Sequence, residues 1–141
     1  MTYKELLDKH TEEANSFSKD KIFFIFGNEE TVNEKLKETG HAPEDFIYTG
    51  AGGYLLKEYK DEFINLIDRQ AKEKKEYLMA NVYEVVNYYY WDYEVYISLE
   101  YDYNNILTEL LNMTPEEIEA NKDEINRARE DYIREFEKLN I

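Results

Sequence analysis

Apolar residues fall in short blocks whose spacing changes along the chain. Lys21-Ile22-Phe23-Phe24-Ile25-Phe26 is a β-branched and aromatic run that stops at Gly27. Such a run predicts a strand that is apolar on both faces. Phe46-Ile47-Tyr48-Thr49 and Tyr54-Leu55-Leu56-Lys57 flank Gly50-Ala51-Gly52-Gly53. Two short strands around a glycine turn read as a hairpin. From Tyr59 the period lengthens: Phe63, Ile64, Ile67, Ala71, Leu78, Val82, Val85 and Val86 recur every three or four residues. That stripe predicts one long amphipathic helix or two joined ones, with Lys72, Lys74 and Lys75 on its solvated face. A last helix over 122–139 carries Ile125, Ala128, Tyr132, Ile133, Phe136 and Leu139 on one side.

Start and stop signals refine this outline. Thr2 followed by Glu5 is a capping-box pattern and opens a first helix that runs to about Asn15. Asn28 can cap a helix over 29–39, and Gly40 stands where a left-handed glycine ends one. Thr114-Pro115-Glu116-Glu117 joins a cap, a first-turn proline and acids at the positive end of the helix dipole. Ile106, Leu107, Leu110 and Leu111 predict a short helix before it. Residues 91–103 carry two patterns at once. Trp91, Tyr93, Val95, Ile97, Leu99, Tyr101 and Tyr103 alternate with polar residues, as on a half-buried strand, while Trp91, Val95, Leu99 and Ile106 also align at helical spacing. The predicted fold is α+β, a single domain with a small antiparallel sheet of about three strands and four to six helices.

Composition supports a folded chain of one domain. The chain has 141 residues, 43 % hydrophobic and 16 % aromatic, with two prolines, too apolar to stay disordered despite its charge. There is no cysteine, so neither a disulfide framework nor a thiol nucleophile is available. No apolar run approaches the ~20 residues of a membrane span, and Met-Thr-Tyr-Lys-Glu is not a signal sequence. The expectation is a cytoplasmic protein.

Charge changes the picture most. The net charge is −15. Residues 76–121 hold ten carboxylates and no lysine, arginine or histidine, so they carry −10 of it, with −4 before and −1 after. The same stretch holds nine of the fourteen tyrosines and the only tryptophan. A field of one sign repels nucleic acid and anionic membrane and favours a basic partner. The partner-binding candidates are Tyr90, Trp91, Asp92, Glu94, Tyr96, Glu100, Asp102, Glu109, Glu116 and Glu117. Carboxylates can stand in for phosphates, and tyrosines give rigid, amphipathic contacts. The alternative is a core-facing aromatic stripe with a solvated acidic back. Spacing bears on the choice: same-face acids on a strand repeat every ~6.7 Å, whereas B-DNA presents one charge per ~1.7 Å of axis. Mimicry of nucleic acid therefore needs Glu109, Glu116, Glu117 and Glu119 to align beside 91–103.

Other chemistry finds little support. Gly50-Ala51-Gly52-Gly53 has neither the following Lys-Ser/Thr of a phosphate loop nor the glycine spacing of a dinucleotide site. His10 falls on a predicted surface helix and His41 in a loop, each without a ligand partner at metal spacing. Asp92/Glu94 and Glu100/Asp102 could act as acid and base on a glycoside, but thirty-two carboxylates make chance pairs inevitable. No EF-hand loop is present. The expectation is no enzyme, no cofactor and no metal.

Phe24-Ile25-Phe26-Gly27-Asn28-Glu29-Glu30, followed by Ile47-Tyr48-Thr49-Gly50-Ala51-Gly52-Gly53-Tyr54-Leu55-Leu56-Lys57, resembles small acidic proteins of bacteriophages and mobile elements. Leu99-Glu100-Tyr101 and Thr114-Pro115-Glu116-Glu117 match later parts of that pattern, and the resemblance covers residues 20–120. Ser98-Leu99 replaces the Asn-His pair typical there, so any chemistry of that pair is lost. The resemblance tilts 91–101 toward helix. By class analogy it implies a non-enzymatic inhibitor of a host nucleic-acid-binding protein, of the anti-CRISPR or anti-restriction type, with a Cas nuclease or a restriction enzyme as target. The competing expectation is a structural or assembly protein whose aromatic stretch forms an oligomer interface.

Overall fold

The computed structural model describes residues 1–139. It is an α+β structure whose elements divide between two compact units, Met1–Lys74 and the residues from Lys75 onward.

In the first unit, α1 (Tyr3–Ser18) begins at the expected capping box. Thr2 Oγ1 accepts from Glu5 N, and Glu5 Oε2 accepts from Thr2 N. Tyr3, Leu6 and His10, spaced three and four apart, are its buried face. Strands β1 (Ile22–Phe24), β2 (Phe46–Gly50) and β3 (Gly53–Leu56) form an antiparallel sheet in the order β1-β3-β2. Leu55 sits at its centre, opposite Ile22 on one side and Ile47 on the other. The hairpin is present, with Gly50, Ala51 and Gly52 all at positive φ. The first strand departs from expectation. It ends at Phe24, and Phe24 and Phe26 are exposed rather than buried. The topology makes β1 an edge strand, so only part of it has a covering layer. Helix α2 (Glu29–Glu38), capped by Asn28 and followed by Gly40 at φ +90°, lays Val32 and Leu36 on Phe46 and Leu56. Helix α3 (Lys60–Ala80) follows the hairpin.

In the second unit, Asn81 has left the helical region (φ −142°), so the long apolar stripe is two helices. Helix α4 (Val82–Asp92) buries Val82, Val85, Val86 and Tyr90. Full burial of each valine contributes roughly 1.5–3 kcal/mol. A short turn α5 (Tyr103–Asn105) runs into one wide turn over Ile106–Leu110. Helix α6 (Pro115–Ala120) has the expected capping box, Thr114 with Glu117. Helix α7 (Lys122–Leu139) packs Ile125, Ala128 and Tyr132 inward, and its aromatic residues meet those of α4. Tyr132 lies 5.8 Å from Tyr90 and 4.9 Å from Trp91 between ring centroids.

Residues 93–102 are neither strand nor helix. They form an irregular loop between α4 and α5. The physical reason is that the backbone groups find partners in turns and on a side chain of α7. Val95 N bonds Tyr90 O, Tyr96 N donates to the Tyr132 hydroxyl at 3.0 Å, and Ser98 Oγ accepts from Glu100 N and Tyr101 N. Glu94 takes a left-handed φ of +47°, which turns the chain out of the helix. No helix among the described residues is long and apolar enough to cross a membrane.

Candidate functional site

The loop hangs from one apolar residue. Val95 is buried, whereas Asp92, Tyr93, Glu94, Tyr96, Ile97, Leu99, Glu100 and Asp102 are exposed. Leu99 is fully exposed and Ile97 is 59 % exposed. Alternation had assigned both to the same inward face as Val95. The structure keeps only Val95 there, because the turns at Glu94 and Ser98 destroy the period. These two apolar residues are the site residues that pattern reasoning missed. Their acidic neighbours, a polar rim without counter-charge, were the available signal.

The sequence candidates separate into three groups. Asp92, Glu94, Tyr96 and Glu100 lie on the loop surface. Asp92, Glu94, Glu100, Asp102, Glu109 and Glu116 make no ion pair among the described residues. Tyr96 stacks on Phe136 at 4.7 Å and reaches Glu137 with its hydroxyl, and half-buried Trp91 lies against Tyr132 and Phe136. The second group is structural. Tyr90 is a correction: it is fully buried, edge-on to Tyr103 at 5.1 Å, and its phenol is pushed well above the ordinary range by burial. It offers no surface to a partner. Glu117 is held by Lys75 at 2.8 Å and by the Thr114 backbone, and these bonds keep its carboxyl below the usual range. The third group shares roles. Asp102 caps α5 through Asn105 N at 2.7 Å while remaining exposed.

The loop acids act on a neighbouring phenol. The Tyr101 phenol is raised, first by the charge of Glu100, and also by Glu109 and by Tyr93, whose ring stands 5.3 Å away. Glu117 and Glu119 do not contribute in the same way, since Lys75 and Lys122 neutralise them. Missing positive charge in 76–121 is supplied in part from α7: Arg127 lies over the Tyr83 ring at 4.5 Å and Arg129 over Tyr103 at 4.3 Å.

A second cluster lies in the first unit, around His10, which the sequence reading had set aside. His10 is buried at 4 % exposure, not on a surface helix. Its Nε2 meets Glu73 Oε2 at 2.6 Å across 63 positions of sequence. Arg69 donates to Glu73 Oε1 at 2.9 Å and to Glu13 Oε2. Glu73 is held below the usual carboxylate range, first by the His10 hydrogen bond and then by Arg69. His10 Nδ1 and Glu13 Oε1 are buried without a hydrogen-bond partner. Each such atom costs about 1–3 kcal/mol. One donor atom from each of His10, Glu13 and Glu73 lies within 4.8 Å of the others.

The structure thus defines an α+β protein with an acid-rimmed, apolar-tipped loop. The chain belongs to a family of unknown function (DUF7659), whose model matches residues 2–135. Neither a curated protein nor a solved structure matches it.

Proposed function

We propose that the protein is a non-enzymatic inhibitor that docks its 92–102 loop in the basic groove of a nucleic-acid-binding protein. A host nuclease of a defence system is the kind of target implied by the sequence resemblance. The observation that carries this reading is one exposed segment on which Ile97 and Leu99 stand between un-neutralised Asp92, Glu94, Glu100 and Asp102. Exposed apolar side chains rimmed by charge are the anatomy of a docking surface. The apolar tip would supply burial at the centre. The acids would speed encounter with a positive groove and compete there with phosphates. Direct binding to nucleic acid or to an anionic membrane is disfavoured by the same charge.

The test is capture from a host lysate at low salt, using three baits. Wild type should retain a basic nucleic-acid-binding protein, and added duplex DNA or RNA should release it. The variant Asp92→Lys, Glu94→Lys, Glu100→Lys, Asp102→Lys should lose it, as should Ile97→Ser with Leu99→Ser. Retention by both variants, or no competition from either nucleic acid, would sink the proposal. A second reading, self-association through the same apolar tip, predicts a wild-type dimer that persists at high salt and is lost in the serine variant.

A further inference from the structure

We propose that His10, Glu13 and Glu73 form a binding site for a divalent transition-metal ion, with zinc as the reference case. The three side chains offer an imidazole and two carboxylates, a donor set suited to zinc and its neighbours in the first transition row. His10 and Glu13 are one turn apart on α1 and so project from one side of it. Glu73 reaches the same point from α3, and one donor atom of each residue already lies within 4.8 Å of the others. Donors around a tetrahedral zinc ion stand roughly 3.2–3.6 Å apart. The His10–Glu73 contact of 2.6 Å would therefore open by less than the width of one atom.

Two further observations point to a ligand rather than to a closed ion-pair network. The buried side-chain polar atoms without a partner among the described residues are His10 Nδ1 and Glu13 Oε1, and both belong to this cluster. Buried polar atoms without a partner are uncommon in folded proteins, and here both fall in one cluster. Arg69, in addition, occupies Glu13 Oε2 and Glu73 Oε1. Glu13 Oε1 is left for an ion, and Glu73 Oε2, which meets His10 Nε2, faces away from the guanidinium and can turn to the same ion. The guanidinium then serves as an orienting group behind the ligands and need not leave. With a neutral imidazole, two carboxylates and one guanidinium, the site carries −1, which favours a divalent cation. If the ion takes Nδ1, the Nε2–Glu73 hydrogen bond persists as the carboxylate that orients the ligating histidine. If it takes Nε2, Glu73 becomes a direct ligand. Both routes use Glu13.

The experiment uses the full chain, freed of metal by chelation and then titrated with Zn²⁺. The chain has two histidines, so imidazole NMR signals report the site directly. One equivalent of Zn²⁺ should shift the His10 ring signals and leave those of His41 in place. Calorimetry should give one strong site. Glu13→Gln and Glu73→Gln should each weaken it by about tenfold or more, while Glu5→Gln with Glu12→Gln on the exposed side of α1 should not. Co²⁺ should yield visible ligand-field absorption that Zn²⁺ displaces. His10 signals unmoved by Zn²⁺, or equal affinity in all variants, would overturn the site. The wild-type NMR result stands even where a variant fails to fold.

Discussion

One acid cluster and one turn in each unit are treated in opposite ways. In the first, Glu13 and Glu73 are drawn into contact with Arg69 and buried His10, and the tight turn at Gly50–Gly53 is covered by Phe26, whose ring lies against Gly52. In the second, Asp92, Glu94, Glu100 and Asp102 stay in solvent without an ion pair, on a loop pinned by Val95 and by the Tyr132 hydroxyl. The same residue type therefore does different work. A carboxylate that meets cations and donors acquires a fixed geometry and a shifted proton affinity. A carboxylate left in solvent contributes field and solubility. Counting acids along a chain cannot separate the two, because pairing and burial decide.

The largest test of this contrast is Tyr132→Ala. It removes a fully buried ring that touches Tyr90, Trp91 and Tyr103, and it removes the acceptor for Tyr96 N. We expect a loss of roughly 3–5 kcal/mol in urea unfolding, and faster amide exchange across 93–102. Wild-type exchange in that loop would mean that something other than Tyr132 holds it.

Gly52→Val comes next and probes the covered turn. Valine at φ +80° is strained, and its Cβ meets the Phe26 ring. Even if Phe26 swings away, the backbone strain alone should cost roughly 1–3 kcal/mol. An unchanged denaturation midpoint would show that the hairpin does not need its left-handed glycine.

The acid limb of stability reports the paired carboxylates of both units. Glu73, Glu117 and Asp131 are depressed, each first by one hydrogen-bond donor: His10, Lys75 and Tyr83 respectively. A depressed carboxylate adds stability that is present above its unfolded pKa and is lost as pH falls through the lower folded value. Wild type should therefore weaken below about pH 4.5, and Glu73→Gln should flatten that decline. Urea midpoints across that range give the answer.

The smallest expected effect is Ile97→Ser with Leu99→Ser. Both residues are exposed, so stability should move by no more than about 0.5 kcal/mol. A loss well above that would make them packing residues and leave the loop without an apolar tip.

Local chemistry in the sequence determined much of this protein. The capping boxes at Thr2 and Thr114, the Asn28 cap, the glycine hairpin and the apolar faces of α2 and α7 follow from neighbours a few residues apart. Each is a short-range hydrogen-bond or periodicity rule. The −10 charge of 76–121 is likewise a property of the string alone. What only the tertiary structure decided is the fate of individual side chains. Tyr90 read as a partner-surface residue and Ile97 as part of the inward face of 91–103, yet the helix packing of α4 against α7 buries the first and the turn at Glu94 exposes the second. His10 read as a residue of a surface helix, and the fold pairs it at 2.6 Å with Glu73, 63 positions away. Such contacts depend on which faces meet once apolar burial has chosen a topology. No local periodicity encodes that choice, because the energy that selects it is distributed over the whole core.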